Sequence, residues 1–379
     1  MGFFSRYVSE RFLYPPPLVD RNAFVQCVLS KAGSTSMPVL YVFSDSTLLP
    51  LVSITRQQAP WKWLLPPSLD CFEVAFDKAS TLQLACKLGI EAPATYSGTT
   101  GEGLPAFVKS HGWPLVVKSR RSVYWRRNGG IHVSASFATS LEELEAKCAL
   151  SVSQTGEFPL VQEYVQGEEA SVQFLCDRGT VLAGCANRRL RSVNPAGGAG
   201  ALKQTVPLSY YGLVERARSL ASALTWSGPM MVEFKIDQEV SEPKLMEING
   251  RFWGSLPLAV IAGVDFPYSY YRLAQGWEID PDNGYIPGVV TRHFMGDLRH
   301  LYAVLFNREP MRSYAYPRRG CALRDFFMLP RGCKSDVLDR RDILPAMADV
   351  VDSCLSIYSR FRRERQESAP RGQTAQLNV

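Results

Sequence analysis

The chain has 379 residues, 46% hydrophobic and 21% charged, proportions that exclude a collagen-like chain, a long coiled coil and wholesale disorder. Its length predicts two or three packed units at roughly 150 residues each. The net charge is +6 and most of that excess lies after Met311, which excludes a chain-wide basic footprint for nucleic acid.

Nine cysteines form an odd set without a CxxC pair, so neither a zinc site nor a disulfide framework is expected. Buried free thiols in a reducing cytoplasm are the expectation. The four histidines are scattered and predict no metal cluster. Met1–Arg6 lacks the apolar core of a signal peptide and the serine or threonine of a myristoylation signal. No run of 18 apolar residues occurs, so a soluble cytoplasmic protein without a membrane partner is expected.

In chain order, Asp20–Lys31 predicts a helix capped by Asp20, and Pro38–Asp45 a buried parallel strand of a doubly wound α/β piece. The same apolar stretch, Pro38–Val52, is where pairing into a homodimer would occur. Asp77–Gly89 predicts a helix and Trp113–Lys118 a strand. Arg120–His132 predicts a hairpin turning at Asn128-Gly129-Gly130. Thr139–Leu150 predicts a helix with a Ser140-to-Glu143 capping box. Leu160–Val165, Ala170–Cys176 and Val181–Arg189 read as strands, and Asn194–Gly200 as a flexible loop. A helix over Tyr211–Leu224 precedes a hairpin of Met231–Asp237 and Lys244–Asn249. Beyond Pro281 short helices are expected, then a disordered basic tail from Arg360.

The chemistry concentrates in that last hairpin. Strand side chains alternate, so Glu233, Lys235 and Asp237 share one side, and Leu245, Glu247 and Asn249 share one side of the partner strand. A turn near Val240 puts Glu233 opposite Glu247, a repulsive pair unless a cation lies between them. Oxygen ligands suit magnesium, which normally arrives with substrate phosphates. The alternative is a solvated sheet face salt-bridged through Lys235. Lys118, at a strand end, suits a phosphate, as does Lys78; an exposed lysine is the plainer reading of each. Arg120, Arg121, Arg126 and Arg127 around the glycine turn suit a triphosphate or a solvated basic hairpin. The edge Glu163-Tyr164-Val165 offers backbone groups to a base, and Glu169 a carboxylate to a ribose. Arg188, Arg189, Arg191 and Arg251 suit an anion or ordinary salt bridges.

The order of these features resembles the ATP-grasp superfamily over about Phe76–Gly276. Met246-Glu-Ile-Asn-Gly-Arg-Phe-Trp-Gly-Ser255 is the most specific stretch and resembles carbamoyl-phosphate-synthetase-like members. The resemblance implies an α+β ATP-grasp fold of two lobes at about 76–160 and 161–280. A partial α/β pre-ATP-grasp region over 1–75 precedes it and a helical region over 281–359 follows. By position it implies phosphate contacts from Lys78 and Lys118, adenine contacts from Glu163, Tyr164 and Val165, and a ribose contact from Glu169. Magnesium, or manganese, would sit on Glu233, Glu247 and Asn249. Arg251, with Arg188 or Arg189, would bind the transferring phosphoryl group or a substrate carboxylate.

Two departures accompany it. Arg120–Gly130 replaces the small-residue loop usual after the first lysine, and the chain joins the preceding domain's pattern midway, implying a truncated frame or a reduced substrate site. The activity implied is an ATP- and magnesium-dependent ligase that activates a small-molecule carboxylate for attack by an amine. The rivals are carboxyphosphate or carbamoyl phosphate formation, a non-catalytic ATP-binding regulator, and an adaptor acting through Arg360–Arg371.

Overall fold

The structure, a computed structural model, describes residues 2–34, 39–58, 69–126, 129–237, 239–279, 284–306 and 316–367. It forms two compact units, one of Leu13–Lys334 and one of Met1–Phe12 with Ser335–Val379.

In the larger unit, α1 (Arg21–Gly33) starts where Asp20 caps it, the carboxylate accepting from the Ala23 N–H at 2.9 Å. α2 (Asp45–Gln58) and α3 (Leu69–Phe76) lead to α4 (Lys78–Lys87), capped by Asp77 through the Ser80 N–H at 3.1 Å. The strand expected over Pro38–Asp45 does not form. Pro38 lies outside the described residues, and Leu40–Ser44 carries no regular structure. The polar residues that closed the expected strand open α2 instead, with the Ser44 hydroxyl accepting from the Thr47 N–H at 3.3 Å. Val42, Leu48, Leu51 and Val52 are buried in the chain's own cores, while Phe43 in the same stretch is 58% exposed.

Next come β1 (Thr95–Tyr96), α5 (Leu104–His111), β2 (Leu115–Lys118), the hairpin β3 (Val123–Arg126) with β4 (Gly129–His132), β5 (Ser136–Ala138), α6 (Leu141–Thr155) and β6 (Leu160–Glu163). An antiparallel sheet in the order β1-β6-β2-β5 packs on α5 and α6 through Leu104, Leu115, Val117, Leu144 and Val161. The Ser140 half of the expected capping box forms, its Oγ accepting from the Glu143 N–H, while the Glu143 carboxylate accepts from the Thr139 N–H, one residue before the cap, at 2.9 Å. The β3–β4 hairpin is a separate two-stranded sheet. Arg127 and Asn128, expected at its turn, lie outside the described residues.

The remaining strands are β7 (Gly167–Asp177), β8 (Thr180–Ser192), β9 (Gly200–Thr205), β10 (Gly228–Asp237), β11 (Pro243–Asn249) and β12 (Val290–Arg292). They lie antiparallel in the order β11-β10-β7-β8-β9-β12. Helix α7 (Leu213–Ala223) and α3 cover one face, where Val172, Phe174, Val232, Phe234 and Leu245 are buried. On the other face, Leu175, Cys185 and Met231 pack against Phe252 and Trp253, with α8 (Leu256–Ala262) and α9 (Phe266–Gln275). The rest of that face is polar. Helices α10 (Phe294–Phe306) and α11 (Arg319–Phe327) complete the unit.

In the smaller unit α12 (Leu344–Glu367) continues beyond Arg360, where a tail was expected; residues 368–379 lie outside the described set. Ser5 and the Arg6 N–H both donate to the Asp342 carboxylate. All nine cysteines are free, but only Cys148, Cys176 and Cys185 are buried, correcting the expectation of uniformly buried thiols. Among the described residues no helix is long and apolar enough to cross a membrane.

Candidate active site

Two antiparallel strands fix the centre. Glu233 on β10 lies opposite Glu247 on β11, yet the next pair is Phe234 with Leu245. Met246 is therefore an extra residue in β11, a bulge that re-aims the strand. Leu245 consequently enters the apolar face while Glu247 joins Glu233 on the polar one, correcting the expectation that Leu245 and Glu247 share a side. Asn249 remains with Glu247: its Nδ2 donates to Glu247 Oε1 at 3.1 Å and to Glu233 Oε1 at 3.3 Å.

Cations flank this pair. Lys78 Nζ is 3.6 Å from Glu247 Oε2 and donates to Ser122 Oγ at 3.2 Å. Its placement follows from Asp77, which starts α4, and from the Lys78 N–H donating to the Arg120 C=O at 2.9 Å. Arg189 on β8 bridges Glu233 and Glu169, the latter at 3.0 Å, and Ser192 Oγ donates to Glu169 at 2.6 Å. Arg251 donates to Asp45 Oδ1 at 2.8 Å and to Asn249 Oδ1 at 3.2 Å.

Electrostatics separates the carboxylates. Burial resists ionisation of Glu247, but Lys78, the Asn249 hydrogen bond, Lys118 and Arg251 together hold it down at about 2. Burial pushes Glu233 up, with Arg189 opposing and Glu247 adding repulsion. Lys118 is lowered to about 8, chiefly by burial, against the attraction of Glu247. Burial likewise lowers Lys235.

The expected hinge residues have partners already. Glu163 Oε1 accepts from Lys244 Nζ at 2.6 Å and from the Ala94 N–H at 3.1 Å. The Val165 C=O accepts from Lys235 Nζ at 3.0 Å, and that ammonium lies 4.8 Å from the Tyr164 ring centroid. Glu169, Glu233, Glu247, Asn249, Lys78, Arg189 and Arg251 are thus linked by direct contacts. Arg188 is not among them. It alternates with Arg189 to the opposite face, where it meets Glu168 at 3.0 Å and Gln204, which corrects its assignment to the same anion site.

The sequence reading also missed Lys203. Lys235 pairs with Glu169 and Arg189 with Lys203, and the Arg189–Glu169 ion pair joins the two, placing a buried lysine, 3% exposed, in line with the charged row. A lysine in a short run of apolar and small residues after a glycine loop was the only available signal. Asp45 was missed because its partner Arg251 is 206 residues away.

The donor set fits a small hard cation. The two facing carboxylates are hard oxygen donors, whereas Asn249 turns its Nδ2 to them and its Oδ1 to Arg251, so its amide would have to flip to offer an oxygen; among the described residues no group of three or more His, Cys, Asp or Glu is gathered.

Residues 155–287 match a family model described as ATP-grasp in the biosynthetic pathway with Ter operon. The carbamoyl phosphate synthase large chain of Saccharolobus islandicus is 27% identical over 233 residues, covering 55% of this chain and 21% of that one. This chain thus matches about a fifth of that relative's length. N5-carboxyaminoimidazole synthetase from Staphylococcus aureus superposes with a TM-score of 0.59 at 14% identity, covering 80% of this chain and 76% of that one. A biotin carboxylase complex from Campylobacter jejuni gives 0.56 at 16% identity, covering 72% and 61%.

Proposed function

From its ATP-grasp fold, we propose that this protein is an ATP- and magnesium-dependent ligase that joins a small-molecule carboxylate to an amine or similar nucleophile. The observation that carries the proposal is Glu233 facing Glu247 within a ring of cations, since a scaffold gains nothing from opposed carboxylates.

Glu233, Glu247 and Asn249 would hold magnesium, which supplies charge neutralisation at the phosphates. Lys78 and Lys118 would lie on phosphate oxygens. Glu163, Tyr164 and Val165 would meet the base and Glu169 the ribose. Arg251 and Arg189, with Lys203 beside them, would hold the carboxylate and the transferring phosphoryl group. The carboxylate oxygen bonds to the γ-phosphorus as the bond to the bridging oxygen breaks and ADP leaves with the electron pair. The amine lone pair then attacks the acyl carbon, phosphate departs, and the amine proton passes to solvent. The chain supplies no covalent nucleophile; it contributes positioning and charge.

The test is thermal unfolding with and without MgATP, followed by ADP release with panels of carboxylates and amines. Ligand at 100 times its dissociation constant stabilises the native state by roughly 2.7 kcal/mol. A magnesium-dependent rise that Glu247→Gln reduces is expected. No rise in folded wild type would sink the nucleotide reading. The match to a carbamoyl phosphate synthase supports a second reading, carboxyphosphate formation, for which bicarbonate alone would stimulate ADP release.

A further inference from the structure

The β3–β4 hairpin lies shortly after Lys118, with Arg126 on β3 and Arg120 and Arg121 just before it, and it belongs to neither large sheet. A lone two-stranded hairpin is marginal in water, so something else must hold it. Its base is fixed at Lys78 through Ser122 and Arg120. On one flank Arg126 Nη2 donates to the Ser153 C=O of α6 at 2.6 Å, and Tyr124 OH donates to Glu157 at 3.3 Å.

The other flank meets the chain's own early segment. The Gly130 N–H donates to the Leu18 C=O at 2.6 Å, and Trp125 Nε1–H to the Pro17 C=O at 3.4 Å. The Arg21 guanidinium lies 5.4 Å from the Trp125 ring centroid. Pro15-Pro16-Pro17 restricts this segment, and the Val19 and Asp20 N–H groups both turn back to the Pro16 C=O. It thus presents a stiff carbonyl edge.

Gly129 reports how close the approach is. Its φ is +117°, and a Cβ there would lie 2.6 Å from the Leu18 carbonyl oxygen. At Gly130 a Cβ would meet the Leu18 side chain at 2.7 Å. Read from sequence, these glycines suggest a mobile phosphate-covering tip. In the structure they leave room for another stretch of backbone to dock on β4.

We propose that residues 17–21 are a strap that holds the β3–β4 hairpin for polyphosphate binding, with Leu18, Gly129, Gly130 and Trp125 as positioning residues. The inference rests on the nucleotide reading above. A hairpin fixed in advance leaves less ordering to be done when phosphates bind, so strap contacts act on phosphate affinity rather than on recognition of the base.

Titration calorimetry of the full chain tests this, with MgADP and AMP as probes. Trp125→Ala removes both the indole donor and the ring beside Arg21. Gly129→Ala blocks the approach to Leu18. Each is expected to weaken MgADP about tenfold while AMP changes less than about twofold, because AMP lacks the outer phosphates. Trp125→Phe keeps the ring and is expected to lie between Trp125→Ala and wild type. If Gly129→Ala fails to fold, the two tryptophan variants carry the test. Unchanged MgADP affinity in folded Trp125→Ala would overturn the strap, and so would equal weakening of AMP. Wild type that binds neither probe would sink the nucleotide reading and the strap with it, an outcome distinct from variants that bind as wild type does.

Discussion

Glu233 and Glu247 face each other across β10 and β11 only because Met246 is left unpaired between Glu247 and Leu245. One inserted residue lets the same strand place a leucine in an apolar core and, two positions later, a carboxylate in a charged site.

Deleting Met246 would join Leu245 directly to Glu247, and regular alternation would keep Leu245 beside Phe234 and Glu247 opposite Glu233. With the ladder regular and Glu247 still on the polar face, the deletion is expected to cost no more than ~3 kcal/mol. Met246→Ala keeps the residue count and is expected to cost under ~2 kcal/mol. Urea unfolding of both variants separates the role of the bulge from that of its side chain.

Glu247→Gln keeps the shape of the site and removes one of the two facing charges. Turnover is expected to fall at least ~100-fold, the scale of losing one electrostatic stabiliser. Steady-state ADP release measures it, and full activity in this variant would remove Glu247 from the magnesium set.

Arg189 and Arg188 are neighbours with different consequences. Arg189→Ala leaves Glu169 and Glu233 without their shared guanidinium, at an expected cost of ~3–5 kcal/mol and with loss of activity. Arg188→Ala breaks a partly exposed pair on the opposite face and is expected to cost about 1 kcal/mol or less, with turnover within about twofold of wild type. Parallel unfolding and turnover measurements decide between them.

Lys118 sets a pH dependence. Burial lowers it from 10.5 to about 8, so between these values the native chain holds fewer protons than the unfolded one and stability rises with pH. Phosphate oxygens would draw the proton back. MgADP binding at or just above pH 8 is expected to take up a fraction of a proton, and Lys118→Gln to abolish the uptake. Calorimetry in buffers of different ionisation enthalpy measures it; equal proton uptake in the variant would exclude Lys118.

Local signals reached far into this fold. Asp20, Asp77 and Ser140 cap helices because a side-chain acceptor before an apolar run needs no distant partner. The facing of Glu233 and Glu247 was expected from a regular ladder about Val240, but in the structure the turn-side register would pair Glu233 with Met246, and the bulge restores the expected pair. Leu245 went astray because a bulge is a property of two paired strands and leaves no mark within one. Arg188 was grouped with Arg189 although alternation alone separates them. Ser44-Asp45-Ser46 closes a strand or opens a helix equally well, and tertiary packing chose the helix. Lys203 needed the order β10-β7-β8-β9, which is the outcome of non-local pairing.

The contacts that Leu13–Asp45 makes bear on where this protein can be cut. A shortened chain starting at Phe76, where the family resemblance starts, would contain every expected nucleotide and magnesium ligand. It would also strip Arg251 of Asp45, leave the Phe252 N–H without the Val42 C=O, and free the β4 edge at Gly130. Such a fragment would preserve the motif while discarding its supports, so inactivity in it would say nothing about the ligands themselves.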